Sequence, residues 1–246
     1  MANKKSKDTI QSLKIGFSII DALMEEKRPL KITEIQEKTN VTKSNLYKYI
    51  NTLLLDDLIF RDEHSGLYYL GSKLIQYGMT AIGNQDIFAM ITPYLHSISE
   101  YTNNSTIFAV PTFNGPVIAN MTRSNQILNI GAEIGTLLPP NSSAGKIFYV
   151  FGDSQKTKHW RESDDPSIIS DENEIQLIHK EKIAFAKEPL IPSVSSVSIP
   201  VLNYANELIG ILTVVGFSSF VPETVEDSLS KYLQKIQNEI SMSDYN

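Results

Sequence analysis

Residues 31–70 read KITEIQEKTN VTKSNLYKYI NTLLLDDLIF RDEHSGLYYL. Thr33-Glu34-Ile35-Gln36 has the form of a capping box, in which the Thr33 hydroxyl takes the N–H of Gln36 and the Gln36 side chain reaches back. A helix is therefore predicted to start near Thr33. Asn40 tolerates the left-handed conformation, Val41 turns inward, and Thr42 caps a second helix running from Lys43 to about Leu55. Two runs of strand formers, 58–62 and 67–70, flank the polar, Gly-ended tip Glu63-His64-Ser65-Gly66 and predict a hairpin. Ahead of them Leu13, Phe17, Ile20 and Met24 keep helical spacing up to Pro29, which predicts a first helix supporting the pair. Three helices, a connection of three or four residues between the last two, and a ribbon make the plan of a winged helix-turn-helix closing by about Gly71.

The helix from Lys43 sorts by side. Leu46, Ile50, Leu53 and Leu54 follow the spacing of a buried stripe, so Ser44, Lys48 and Asn51 point outward, flanked by Thr42, Lys43, Asn45, Tyr47 and Thr52. No carboxylate interrupts that face before Asp56. A solvated helix normally mixes in Glu or Asp, whereas a helix meant for phosphates and base edges excludes them. Thr42, Lys43, Ser44, Asn45, Tyr47, Lys48 and Asn51 are thus the candidate contacts to double-stranded DNA, with Arg61 on the ribbon beside them.

Charge divides unevenly along the 246 residues, 41% of which are hydrophobic, enough for a core in each of two domains. Residues 1–80 carry 12 Lys and Arg against 10 Asp and Glu, and the remainder carries 10 against 18, giving the net −6. The basic share thus lies where the helix pair lies. Lys4, Lys5 and Lys7 read as a solubilising tail in preference to a phosphate contact. Cysteine is absent, which excludes disulfides, thiolate nucleophiles and Cys-based zinc sites. No apolar segment suits a signal peptide or a membrane span, so a cytoplasmic protein without a membrane partner is expected.

Residues 72–85, with Leu74, Ile75, Tyr77, Met79, Ala81 and Ile82, read as a linker helix too apolar around its circumference for solvent alone. An amphipathic stretch over 87–101 follows, with Pro93 expected in a first turn or at a bend. Strands are predicted over 106–112 and 116–122, joined at Phe113-Asn114-Gly115 with its Asn-Gly turn signal, and a further one over 126–130. Helices over 144–151 and 173–183, strands over 193–204 and 208–217 turning at Ala205-Asn206-Glu207, and a last helix over 222–242 complete the chain. The class is mixed α/β, with a winged helix-turn-helix over 1–71, a linker helix over 72–85 and an α+β domain around one antiparallel sheet over 86–246.

The chain resembles the IclR-type transcription regulators of bacteria. The matching residues are Ser12-Leu13, the opening Leu30-Lys31-Ile32-Thr33-Glu34-Ile35, the helix Thr42-Lys43-Ser44-Asn45-Leu46-Tyr47-Lys48, and Tyr69-Leu70-Gly71. Further on come Ala144-Gly145-Lys146, Ser196-Val197-Ser198-Ile199-Pro200-Val201 and the run from Gly210 to Gly216. The resemblance implies a GAF-like second domain that binds a small organic effector, a linker helix packed on a second subunit, a homodimer or homotetramer, and a partly palindromic operator. It places the effector against Ser143, Ala144, Ser196, Thr213 and Val215. Where many relatives have an acidic residue ten positions before Ser196, this chain has Ala186, and Val215 also replaces a polar group, which implies a ligand less polar than a small keto acid.

The alternative is an enzyme, or a stand-alone sensor whose first domain serves assembly. Ser193, Ser195, Ser196 and Ser198 crowd one strand, with His159 and His179 upstream, but no Gly-x-Ser-x-Gly elbow is present and both histidines lie in charged, helical surroundings. His64, His96, His159 and His179 show no metal-binding i, i+4 pair and no phosphate-binding Gly-rich loop occurs, so neither a metal nor a cofactor is expected. The polar face Ser44, Lys48, Asn51 discriminates the readings, since an assembly surface would be apolar there.

Overall fold

The computed structural model describes residues 9–82, 86–124, 133–162, 165 and 168–242. Lys4, Lys5 and Lys7, the end of the linker segment at 83–85, and the strand expected over 126–130 lie outside the described residues. The chain forms two compact units, residues 1–83 and 84–246.

In the first unit α1 spans Gln11–Glu26, α2 Ile32–Thr39 and α3 Lys43–Leu55; β1 (Ile59–Arg61) pairs antiparallel with β2 (Tyr68–Leu70), and α4 spans Ser72–Ile82. The start of α2 corrects the expected capping box. The helix begins at Ile32 with Lys31 as its N-cap, and the Glu34 carboxylate accepts the Lys31 N–H at 2.8 Å, so Thr33 is already inside the first turn. Glu34 also takes Arg28 at 2.8 Å, a contact that, with the Lys31 N–H, holds its carboxyl below the usual range. Asn40 is left-handed at φ 53°, and Thr42 occupies the N-cap position of α3 without a side-chain cap bond.

Ile35, Leu46, Ile50 and Leu53 pack with Ile19, Leu23, Ile59 and Tyr68 in one core. Leu30 adds a bridge to the ribbon, donating to the Tyr68 carbonyl at 3.1 Å and accepting from the Tyr68 N–H at 2.8 Å. α1 turns the other way from the expectation. Its buried residues are Ile19, Ala22 and Leu23, while Leu13, Phe17 and Met24 are more than half exposed and Ile20 is only partly covered. The helix carries two apolar stripes at the same spacing, and the one with Ile19 and Leu23 faces the core.

The ribbon tip is held by Asp62, whose carboxylate accepts from the Ser65 hydroxyl at 2.6 Å and the His64 N–H at 3.0 Å. Those bonds, the Ser65 one first, hold its carboxyl below the usual range. Gly71 closes the ribbon by donating to the Leu58 carbonyl at 2.9 Å, so tightly that a Cβ there would lie 2.0 Å from the Asp57 oxygen. Gly71→Ala is expected to destabilise the first unit by about 1–3 kcal/mol, since the obstructing atom is backbone. Thermal melts read by circular dichroism check this, and an unchanged transition contradicts it.

The second unit is one five-stranded antiparallel sheet in the order β4-β3-β7-β6-β5, formed by β3 Ser105–Thr112, β4 Gly115–Thr122, β5 Ala184–Ala186, β6 Val194–Leu202 and β7 Leu208–Phe217. Helices α5 (Asp86–Thr102), α6 (Ser143–Phe151), α7 (Lys158–Arg161), α8 (Glu172–Glu181) and α9 (Ser228–Met242) accompany it. Pro93 lies in the interior of α5, past the first turn. The hairpin joining β3 and β4 differs in detail from the turn expected. Thr112 pairs with Gly115, so Phe113 and Asn114 form the loop and Gly115 opens β4 at φ 123°. α9 begins at Ser228, beyond the expected start, because the Asp227 carboxylate gathers the N–H groups of Glu223 (3.1 Å) and Thr224 (3.0 Å) into a turn. α8 stops at Glu181 with Lys182 left-handed, which frees Ala184–Ala186 to become the edge strand β5.

Candidate functional site

On α3 the structure places Thr42, Lys43, Ser44, Asn45, Tyr47, Lys48 and Asn51 all at the exposed surface, opposite Leu46, Ile50 and Leu53. The Thr52 hydroxyl is turned back onto the Lys48 carbonyl at 3.0 Å, which withdraws it from the outward set. Arg61 is exposed on β1 with its guanidinium 5.7 Å from the Tyr68 ring centre. Burial raises the Tyr68 phenol above its usual range, with Arg61 opposing and Tyr47 adding, so these side chains share one neighbourhood. The face joins hydroxyls, amides and two lysines on a rigid helix. That set suits phosphate oxygens and base edges.

The second unit holds a cavity of about 100 Å³ beside the start of α6. Ala144, Ser196, Thr213 and Val215 lie on its wall. Ser143 does not line it but stands directly behind. Its fully buried hydroxyl donates to Ser196 Oγ at 2.8 Å and is 2.7 Å from Ser198 Oγ. Ser198 in turn is 2.8 Å from Thr213 Oγ1. Ser143 is free for this because Ser142 is the cap of α6, accepting the Gly145 N–H at 3.0 Å. Gly145 itself is needed there, since a Cβ would meet the Pro139 and Pro140 carbonyl oxygens at 2.4 Å. Lys146 then ties α6 to α8 through Glu174 (2.7 Å) and to the edge strand β5 through the Phe185 carbonyl (2.8 Å).

Sequence reasoning missed Ser198, although it shares the face of Ser196 by strand alternation. It also missed the apolar wall, formed by Ile107, Leu138, Leu190, Ile191 and Val194, of which Ile107, Leu138 and Val194 pack in one cluster. The segment between β5 and β6 has no periodicity to announce it. It is bounded by left-handed Glu188 (φ 46°) and Ser193 (φ 63°) and is held by Asn141 Nδ2 donating to the Pro189 carbonyl at 2.9 Å. Ala186 is buried and pairs with Ser196, so this edge of the sheet is apolar at that position.

The serine cluster has no histidine partner. His159 is exposed and His179 is exposed and stacked on Phe151, with ring centres 5.7 Å apart. Among the described residues no group of three or more His, Asp or Glu is arranged to hold a metal ion, and no helix is long and apolar enough to cross a membrane.

The described residues thus combine a winged helix-turn-helix unit with a second unit built on one antiparallel sheet that holds a small cavity. The chain belongs to the IclR family: the IclR helix-turn-helix domain matches residues 12–62, and the bacterial transcriptional regulator IclR C-terminal domain matches residues 79–242. Among curated relatives, the HTH-type transcriptional regulator XynR of Escherichia coli (strain K12) is 29% identical over 56% of this chain and 55% of its own length. The HTH-type transcriptional regulator KdgR of Dickeya chrysanthemi is 26% identical over 63% of this chain and 50% of its own. The chain thus spans about half the length of these curated relatives. Of solved structures, the Thermotoga maritima IclR superposes with a TM-score of 0.69 at 20% identity, covering 95% of this chain and 96% of that one. An IclR homolog complexed with 4-hydroxybenzoate from Microbacterium hydrocarbonoxydans superposes with a TM-score of 0.73 at 14% identity, covering 94% and 98%. At these identities the superpositions establish the shared fold.

Proposed function

We propose that the protein is a transcription regulator that binds a double-stranded operator through α3 and Arg61 and changes its operator affinity when a small organic molecule enters the cavity beside α6. The observation that carries this reading is the exposed, carboxylate-free face of α3 on a winged helix-turn-helix. An assembly surface there would be apolar. The wing domain over 1–71 and the effector domain over 86–246 are joined by a linker helix over 72–85, and Ser196, Thr213, Ala144 and Val215, backed by Ser143, hold the effector. The relative crystallised with 4-hydroxybenzoate supports a small-molecule ligand in a unit of this fold. The exposed apolar residues of α1 and α4 support a homodimer or a tetramer built from it. Two reading helices about one helical turn apart, about 34 Å, then require a partial palindrome.

Footprinting on genomic fragments retained by the pure protein tests this, with and without cell metabolites. Lys48→Ala is expected to weaken operator binding about tenfold, at the scale of one lost base or phosphate contact. A phosphate role for Lys48 also lowers the salt slope, while a base-edge role relaxes preference at one position of each half-site. Absence of a protected palindrome, together with wild-type affinity in the variant, defeats the reading.

A further inference from the structure

The four hydroxyls behind and on the cavity wall have a fixed proton order. Ser143 Oγ donates to Ser196 Oγ at 2.8 Å, and a hydroxyl owns one proton. The 2.7 Å bond between Ser143 and Ser198 is therefore donated by Ser198, and the 2.8 Å bond between Ser198 and Thr213 is donated by Thr213. Ser143 and Ser198 are fully buried, so solvent does not compete for these protons. The chain runs Thr213 to Ser198 to Ser143 to Ser196. Its two ends face the cavity with opposite character. Ser196 keeps a proton with no acceptor among the described residues, and Thr213 Oγ1 has spent its proton and offers only lone pairs.

The other wall hydroxyls are committed. Ser142 donates to the Pro139 carbonyl at 2.7 Å while capping α6. Ser218 donates to Glu188 Oε1 at 3.2 Å, so the 2.8 Å bond it shares with Ser195 is donated by Ser195. Among the described residues no Lys, Arg or His side chain lines the cavity.

We infer that the cavity takes a small uncharged hydroxyl compound, an alcohol or a phenol with a compact apolar body, whose oxygen accepts from Ser196 and whose proton goes to Thr213. This rests on the proposed effector-site reading and specifies its ligand. A carboxylate brings no proton for Thr213, faces that oxygen's lone pairs, and finds no side-chain cation among the described residues of the wall. An ammonium group has three protons and nothing to accept the one on Ser196, and a ketone satisfies Ser196 alone. The remaining wall, with Ile107, Leu138, Ile191, Val194 and Val215, asks for hydrocarbon. A space of about 100 Å³ fits a body no larger than about one ring, judged against the ~150 Å³ cavity that holds benzene in another protein. Ser143 and Ser198 are then positioning residues, setting the proton order without touching the ligand.

Calorimetric titration of the full-length protein with cyclopentanol, cyclopentanone and cyclopentanecarboxylate tests the inference. Cyclopentanol is expected to bind at least about tenfold more tightly than either of the others, the factor for one buried polar group left unmatched. In Ser198→Ala the Thr213 proton loses its acceptor and is free to turn to the cavity, so a ketone can accept from both Ser196 and Thr213 and the preference for the alcohol over the ketone is lost. A purely structural role for Ser198 would weaken all three compounds alike. Equal affinity for alcohol and ketone in the wild type, tighter binding of the carboxylate, or no binding of any of the three overturns the inference. Ser196→Trp separates the two levels. Where the carboxylate binds more tightly than the alcohol in the wild type, its loss in that variant keeps the cavity as the effector site while refuting the hydroxyl chemistry, and binding of any probe that survives Ser196→Trp refutes both.

Discussion

Replacing Leu13 and Ile75 together by Asp is expected to yield a folded protein that sediments as a monomer and binds its operator 10²- to 10⁴-fold more weakly than the wild type. Both side chains are more than half exposed in the single chain, on α1 and α4, and Phe17, Met24 and Tyr77 lie exposed on the same two helices. Surface substitutions of this kind change folding stability by about 0.5 kcal/mol or less. Within one chain, then, nothing in their burial predicts a severe effect. If a second copy of the chain covers them, the two carboxylates are forced into an apolar contact, at a cost that the isolated fold never experiences. Losing the second winged domain from the complex removes the effective concentration that a tethered half-site supplies, and that term alone spans the range stated. Sedimentation velocity at micromolar concentration gives the assembly state and fluorescence anisotropy gives the affinity. A variant that remains dimeric, or a monomer that binds as the wild type does, locates the interface elsewhere.

The same residues mark where the sequence was least legible. α3 could be placed to the residue because it has one apolar stripe, Leu46, Ile50 and Leu53, bounded by left-handed Asn40 and by Asp56. α1 could not be oriented, because its stripe through Leu13 and Phe17 and its stripe through Ile19 and Leu23 have the same period, and only tertiary packing decides which goes inside. Spacing has no preference between two such faces. The cap of α2 lies two residues earlier than the Thr33 box predicts, since Glu34, a capping type like Gln36, reaches back to the Lys31 N–H and makes Lys31 the N-cap.

The cavity was legible in part for an analogous reason. Strand alternation puts Thr213 and Val215 on one face of β7 and Ser196 on one face of β6, so the sheet side of the wall follows from period two. The opposite side comes from Pro189, Leu190 and Ile191, in a segment whose shape is set by two left-handed residues and by a hydrogen bond from Asn141, 48 positions away in the chain. No local pattern encodes such a contact. The role of Ser143 was hidden by its neighbour. Either Ser142 or Ser143 is a plausible helix cap, and only the fold shows that Ser142 caps while Ser143 reaches Ser196 and Ser198.

Ser196→Trp is expected to abolish the response to effector while leaving ligand-free operator binding close to that of the wild type. Ser196 Oγ is the donor end of the hydroxyl chain, and an indole grown from that position occupies space of about 100 Å³ that is otherwise open to a ligand. In the wild type, a compound that binds only the folded state adds about 2.7 kcal/mol of stability at a hundredfold excess over its dissociation constant. For a domain of this size that corresponds to a rise in melting temperature of roughly 5–10 °C. In the variant the rise should vanish, because the same compound no longer distinguishes folded from unfolded chain. Overpacking costs the second unit about 1–3 kcal/mol, so the ligand-free melting temperature falls while the transition stays cooperative. α3 and Arg61 belong to the other compact unit, so their operator contacts survive that cost. Differential scanning calorimetry with and without the compound that releases the wild type from its operator makes the comparison. If the variant still gains its several degrees, the effector binds away from Ser196, and the cavity beside α6 is a packing defect rather than a sensor.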